Sequence, residues 1–355
     1  MNNMFILLGT FVLTCVILLA LRPVACRVGL LDVPGGRKTH HNPTPMIGGI
    51  GIYLSVLIIC LLAPAVLEQF KWLLVISGLM LVSGVIDDLI ELRASVRILI
   101  QAGLAWAMVL TAGVQLWSFG DVVFAGPVVL GLMAVPLTLF ATVGVVNAIN
   151  MSDGLDGLCA GIVTIALIML SVAALLAGDS VFLGFGQILI VSLLAFLAFN
   201  FRQLWRKNKS ALMYLGDAGS TLLGFMLAWL IIDASQGPDA FISPVTALWI
   251  LAVPLMDTVN LLVRRPLRGE SPFKPGRDHL HHRLLNAGFD TRQTVLIIHA
   301  ATFVTGSIGL AGFYLGIPEG LMFMAFLLVF AIYMTASWAA LRPQTRHQQS
   351  ARDTR

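Results

Sequence analysis

Charge is what this sequence has least of. Only 11% of its 355 residues are Asp, Glu, Lys or Arg, where a soluble globular domain carries about 25%. So few charges cannot clothe a large water-facing surface, and a single soluble core is excluded. Cysteine is scarce too. The four, at positions 15, 26, 60 and 159, show no metal-ligand spacing, and three lie inside apolar runs, which argues against a disulfide framework. The run Met4 to Leu21 lacks a basic leader and a small-residue cleavage site. It reads as a retained helix, not a signal peptide.

What is present is apolar. Hydrophobic residues make up 58% of the chain, and mean hydropathy is +0.91. Eleven apolar segments cover about 4–21, 46–67, 72–90, 96–113, 128–149, 157–177, 181–200, 212–232, 241–262, 294–316 and 320–341. About 20 helical residues cross a hydrocarbon layer of about 30 Å, and an open-ended chain satisfies its backbone in lipid only as helix. The expected fold is an all-α polytopic membrane protein of about eleven transmembrane helices. Residues 1–341 form one transmembrane domain, and 342–355 form a basic, disordered tail.

Orientation follows from Lys and Arg. Alternate loops cover residues 22–45, 91–97, 202–210, 264–293 and the tail, and hold 21 of the 22 basic residues; only Lys71 lies on the other side. Basic loops stay in the cytosol, so the N-terminus is placed outside and the C-terminal tail inside. No nucleic-acid partner is expected, and a homodimer is left open.

The unusual polar motifs share that basic side. Asp87-Asp88 ends the third segment, where adjacent carboxylates repel and oppose the helix dipole. An ionisable residue near lipid points to function; the alternative is a solvated helix end. Next comes Asn147-Ala-Ile-Asn150-Met-Ser-Asp153-Gly-Leu-Asp156-Gly. On a helical turn Asp153 and Asp156 would share a face, and Asp153 alone reads equally as a helix cap. Leu215-Gly216-Asp217-Ala218-Gly219-Ser220 opens the eighth segment. Asp217 there is either an ordinary cap or part of a site whose glycines let backbone N–H groups approach a phosphate. The loop Arg277-Asp278-His279-Leu280-His281-His282-Arg283 suits phosphate oxygens. Its spacing matches no standard zinc pattern, and a plain polar loop is the third reading. Asp257 lies in the ninth segment and is open between pairing with a basic residue and shaping the site.

Carboxylates gathered at one boundary need a cation. Oxygen ligands favour Mg²⁺ or Mn²⁺, and Mg²⁺ takes one or two carboxylates plus substrate phosphates. Basic loops attract a phosphorylated soluble donor. Phosphoryl transfer needs mainly in-line positioning and charge neutralisation. The residues therefore point to a metal-dependent enzyme acting on a phosphate at the inner membrane surface. A transporter is the rival class, but transporters hold their carboxylates near the midplane.

The motifs resemble the polyprenyl-phosphate N-acetylhexosamine-1-phosphate transferase superfamily. The match runs from Asp32-Val33-Pro34, Arg37-Lys38-Thr39-His40 and Pro45-Met46-Ile47-Gly48-Gly49 through Asp87-Asp88, Asn150 to Gly157 and Gly216-Asp217 to the histidine loop. Ser271-Pro272-Phe273 and the loop interrupted by Leu280 are similar to the WecA-like branch. Its members move GlcNAc-1-phosphate from UDP-GlcNAc to undecaprenyl phosphate and initiate O-antigen or related surface polysaccharides. A muramoyl-pentapeptide donor is disfavoured, because that branch has three consecutive histidines and a lysine where this chain has Arg93 and Arg97.

The resemblance implies a role for each matching residue. Asp217 is the Mg²⁺ ligand and Asn150 a second, with Mn²⁺ as the substitute ion. Asp87 and Asp88 are the catalytic pair, and Asp153 and Asp156 lie at the catalytic and nucleotide side. Tyr214 stacks on uracil. Asn147 joins the substrate site. His279, His281, His282 and Arg283 contact the donor phosphates and sugar, and Arg37 and Lys38 bind phosphate on the other wall. It also implies a multi-pass enzyme of the bacterial inner membrane. Direct attack by the lipid phosphate and a two-step route through an aspartyl-phosphate are both compatible. So is a related donor, UDP-FucNAc or UDP-QuiNAc.

Overall fold

A computed structural model describes residues 3–32, 43–206, 209–271, 276 and 278–339. Arg37, Lys38 and the tail 342–355 lie outside the described residues, as does most of the segment around Ser271-Pro272-Phe273. The described chain is an all-α bundle. Its helices are α1 (Asn3–Val28), α2 (Gly48–Leu61), α3 (Pro64–Ile90), α4 (Ala94–Ala112), α5 (Ala134–Met151), α6 (Leu158–Ala177), α7 (Ser180–Asn200), α8 (Gly216–Ser235), α9 (Pro244–Ile250), α10 (Ala252–Leu267), α11 (Leu280–Asn286), α12 (Thr291–Tyr314) and α13 (Glu319–Ala339). The sole described sheet is the antiparallel pair β1 (Leu31–Asp32) and β2 (Thr44–Pro45).

All eleven expected segments are helical, but they do not all cross alike. Among the described residues, nine helices are long and apolar enough to span a membrane. The segment at 241–262 is broken at Leu251 into α9 and α10, which meet at 81°. Pro254 explains the break: it has no N–H for the carbonyl four residues back, and its ring clashes there. The segment at 46–67 shrinks to α2, a helix of 14 residues. That is about 21 Å at about 1.5 Å per residue, short of a full hydrocarbon layer. Ala63-Pro64 ends it early, and Pro64 becomes the first residue of α3.

The ends that matter are set by local signals. Helix α3 stops where Glu91 turns left-handed (φ 52°), and the Asp87 side chain accepts the next free N–H, from Leu92. Helix α7 starts on Asp179, whose carboxylate accepts from Val181 and Phe182. Helix α12 opens on a capping box of Asp290 and Gln293. The acceptors on Asp179 and Asp290 satisfy backbone donors that the first turn leaves open.

Helix α8 is the axis. It is buried along nearly its whole length, packed between α2, α3, α5 and α6. Lipid tails give no hydrophobic drive between helices, so small residues that admit close backbone contact carry the packing. A Cβ on Gly49 would collide with Gly219, and one on Gly84 with the Ala218 backbone. By contrast α1, α4 and α13 turn outward Leu8, Val16, Leu99, Leu110, Leu328 and Ile332, as lipid-facing helices should.

Candidate active site

The close approach of α3 to α8 builds the centre. Gly84 and Asp88 are four residues apart and share one face of α3. Gly84 lets Ala218 in, and Asp88 then reaches the start of α8. Its Oδ1 accepts from the Asp217 N–H at 2.8 Å and its Oδ2 from the Ala218 N–H at 3.1 Å. This corrects one expectation. Those N–H groups were candidates to cradle a phosphate, but a carboxylate of the protein already occupies the positive helix end. Gly216 adopts φ +73° with Asp88 and Met46 against its Cα, so glycine is required for the turn and for the approach. Gly219 serves contact with Gly49, not a ligand.

Asp217 is left pointing its carboxylate outward from the first turn of α8. Its Oδ1 accepts from Asn150 Nδ2 at 2.8 Å, and the same amide donates to Ser220 Oγ at 2.8 Å. Its Oδ2 is 3.6 Å from Arg97, and its side chain is 41% exposed. Arg97 also holds Asp87 at 3.0 Å. Asp87 is buried and spends both oxygens, one on Arg97 and one on Leu92 N–H. The paired carboxylates face different partners, an α4 guanidinium and an α8 terminus, which offset part of their mutual repulsion.

The turn between α5 and α6 forms the next wall. Helix α5 ends at Met151 and α6 begins at Leu158, so Asp153 and Asp156 lie on a turn and not on a helical face. Asp153 does not cap α6 either; Gly157 takes that position, at φ +84°. Asp156 accepts the Ala211 N–H at 3.1 Å. Asp153 is open to the cleft. Partial loss of hydration and repulsion from Asp217, Asp156 and Asp88 raise its pKa above the ordinary carboxylate range. Because the carboxyl keeps an exposed surface, the repulsion is the part that survives when water fills the cleft.

Tyr214 closes the floor. Its backbone accepts from Gly48 and donates to Pro45, which ties β2 and α2 to the start of α8. Its phenol is half-buried and pushed up to about 12, first by burial and then by Asp156. The histidines cover the other side. His281 is buried against Gly154, and burial followed by His282 and His279 lowers its pKa to about 3, so it is neutral at pH 7. His282 packs on it, with ring centroids 4.2 Å apart.

Two expected ligand residues stand elsewhere. Asn147 lies one turn deeper on α5 and donates to Gln101 Oε1 at 2.7 Å, holding α4 to α5. Arg283 faces α13, donating to Ser337 at 2.6 Å. Two contributors escaped the sequence reading, and a third, Asp257, was left open between two roles. Arg97 was noted only as a departure from a lysine. Asn200 links the 157 turn to the chain before α8 through Gly157 N–H at 2.6 Å and Met213 O at 2.9 Å. Asp257 holds His279. Among the described residues, no three His, Cys, Asp or Glu side chains are gathered as a metal-binding set.

The glycosyl transferase family 4 profile matches residues 70–235, the stretch that contributes α3, α5, the 152–157 turn and α8 to this cleft. The undecaprenyl-phosphate α-N-acetylglucosaminyl 1-phosphate transferase of Yersinia pestis is 35% identical over 92% of this chain and 89% of its own. The chain belongs to glycosyl transferase family 4. The same-named proteins of Escherichia coli K12 (35% identical over 92% of this chain and 89% of that one) and Haemophilus influenzae (33% over 97% of both) are similar at comparable length. The likeness therefore reaches beyond the profile to the histidine loop, which in this member of glycosyl transferase family 4 follows α10 and runs into α11. It is a multi-pass membrane protein.

Proposed function

We propose that this chain transfers GlcNAc-1-phosphate from UDP-GlcNAc to undecaprenyl phosphate at the cytosolic face of the bacterial inner membrane, releasing UMP. The observation that carries the reading is convergence. Asp88, Asn150, Asp153, Asp156, Asp217 and His281 come from separate parts of the chain and meet in one cleft at one end of the bundle, in a chain similar to relatives of that name along 92% of its length. In the sequence, 21 of the 22 basic residues fall in the set of loops that also carries the acidic motifs of that cleft, which supports a cytosolic site. A small crevice between α3, α4 and α8, lined by Met80, Leu92 and Ile100 together with Ser83, Gln101 and Thr221, adjoins Asp87 and Arg97. The guanidinium there suits a phosphate.

The residues fit a single Mg²⁺, with Mn²⁺ as an alternative. Asp217 Oδ2 is half-open and has a cation, Arg97, only at 3.6 Å. Asn150 has committed its NH₂, which leaves its carbonyl oxygen for an ion. One carboxylate and one amide match an ion that completes its shell with substrate phosphates. When bound, Mg²⁺ would neutralise charge on the donor pyrophosphate.

The protein's own groups then orient the reactants. Asp87 and Asp88 each engage both oxygens in hydrogen bonds, which lowers their nucleophilicity and favours direct attack over an aspartyl-phosphate on either. An oxygen of the lipid phosphate bonds to the donor β-phosphorus, the bond from that phosphorus to the bridging oxygen breaks, and UMP leaves with that oxygen. A lipid phosphate with a second pKa of about 6 is already ionised at pH 7, so it needs no base. Arg97 steers it, the neutral His281 and its neighbours close over the donor, and Tyr214 lies beneath the uracil.

Purified protein in lipid should release UMP from UDP-GlcNAc only when polyprenyl phosphate and Mg²⁺ are both present. No release from folded protein would overturn the reading, and UDP-FucNAc and UDP-QuiNAc in parallel test the sugar. The pKa of Asp153 gives a second result. Below its raised pKa this carboxyl carries a proton, and a cation at Asp217 favours the ionised form, so protons and Mg²⁺ compete. The apparent dissociation constant for Mg²⁺ should fall as pH rises through that pKa and level off above it. A flat profile would uncouple Asp153 from the ion.

A further inference from the structure

The histidine loop is gripped from below by a residue outside every recognised motif. Asp257 sits within α10, largely buried, with its Oδ2 2.9 Å from His279 Nδ1. Its Oδ1 accepts the Leu280 N–H at 3.0 Å and the Tyr333 hydroxyl at 2.8 Å. Both oxygens are thus committed, one side chain capping α11 and orienting its first histidine. An ionised carboxylate only accepts. His279 must therefore carry a proton on Nδ1, which leaves Nε2 as the nitrogen available to a ligand.

Tyr333 brings in the last helix. Helix α13 turns mostly apolar side chains outward, yet polar bonds tie it to the loop. Ser337 accepts from Asn260 at 2.8 Å and from Arg283 at 2.6 Å. Trp338 donates to Asn260 at 3.2 Å, and the Arg283 guanidinium lies over the Tyr333 ring. Such bonds bind helices in lipid, where apolar contact alone does not select a partner.

We propose that Asp257 is the positioning residue of the histidine loop, holding His279 in its Nδ1–H form with Nε2 toward the donor, and that Tyr333 of α13 fixes Asp257. It rests on the proposed transferase activity for its kinetic consequence, but not for its structural one. Outer partners that fix a histidine's tautomer change function by about 10- to 100-fold when lost.

The test uses the full chain in nanodiscs, labelled with ¹⁵N-histidine. Wild type should show the His279 resonance, assigned by its loss in His279→Gln, as the Nδ1–H form. In Asp257→Asn the amide can donate as well as accept, so Nε2–H signal should appear. Tyr333→Phe keeps the ring and removes only the hydroxyl, and should shift the resonance less. Donor kcat/KM should fall about 10- to 100-fold in Asp257→Asn and by less in Tyr333→Phe, with KM for the lipid phosphate unchanged. A wild-type His279 spectrum in the Nε2–H form, or an Asp257→Asn protein with unaltered resonance and kinetics, overturns the proposal. If wild type releases no UMP, the transferase reading fails, and the spectra still decide the tautomer.

Discussion

Asp217→Asn should lower UMP release by about 1000-fold or more, about 4 kcal/mol of transition-state stabilisation at about 1.4 kcal/mol per tenfold, while leaving the fold intact. The replacement is isosteric. The Asn150 amide still has an oxygen to bond in place of Asp217 Oδ1, and the Asp217 backbone N–H still meets Asp88. Only the charge is lost, and with it the one half-exposed carboxylate on α8 that faces the cleft. Thermal unfolding in detergent should therefore shift little, and raising Mg²⁺ or Mn²⁺ should not restore the rate. A wild-type rate would remove Asp217 as the metal anchor. Asp87→Asn should also suppress turnover, for a different reason. It frees the guanidinium of Arg97 from its 3.0 Å partner, so Arg97 can swing wholly onto Asp217 and compete with a cation there.

Gly84→Val should damage both stability and activity, and the activity more. A Cβ at Gly84 would strike the Ala218 backbone, not a movable side chain. The helices α3 and α8 must then part, at about 1–3 kcal/mol for over-packing. Asp88, one turn along the same face, would be drawn off the N–H groups of Asp217 and Ala218. A misplacement of about 1 Å at a reacting centre can cost about 100-fold. The expected result is a lowered unfolding temperature with at least that loss in UMP release. Gly103→Ala on α4 is the control, because a Cβ there would meet nothing within 4 Å, and it should behave as wild type. Equal behaviour of the two variants would mean that the α3–α8 approach does not set the site.

These two substitutions mark what could be read early and what could not. Asp217 stands out in a line of sequence, because few acidic residues lie in so apolar a chain and each one at a boundary demands a reason. The number, order and helical character of the segments were equally plain. Backbone groups in lipid leave helix as the one open-ended solution, and the basic residues divide the loops into two sides. Gly84 is silent by comparison. Glycine is common in membrane helices, and its partner Ala218 lies far along the chain.

What the residues alone determined is therefore the membrane class, the helix order, the side on which the polar motifs gather and the identity of the charged groups. Periodicity, solvation and charge act locally, so each is written into the nearby sequence. The tertiary structure alone decided what each group does. Asp88 caps a helix distant in sequence, Arg97 bridges two carboxylates, Asn150 steadies Asp217, and Asn147 and Arg283 turn to other helices. A carboxylate's role depends on which donors reach its oxygens. In this bundle those donors come from other helices, across contacts that only close packing of small residues allows.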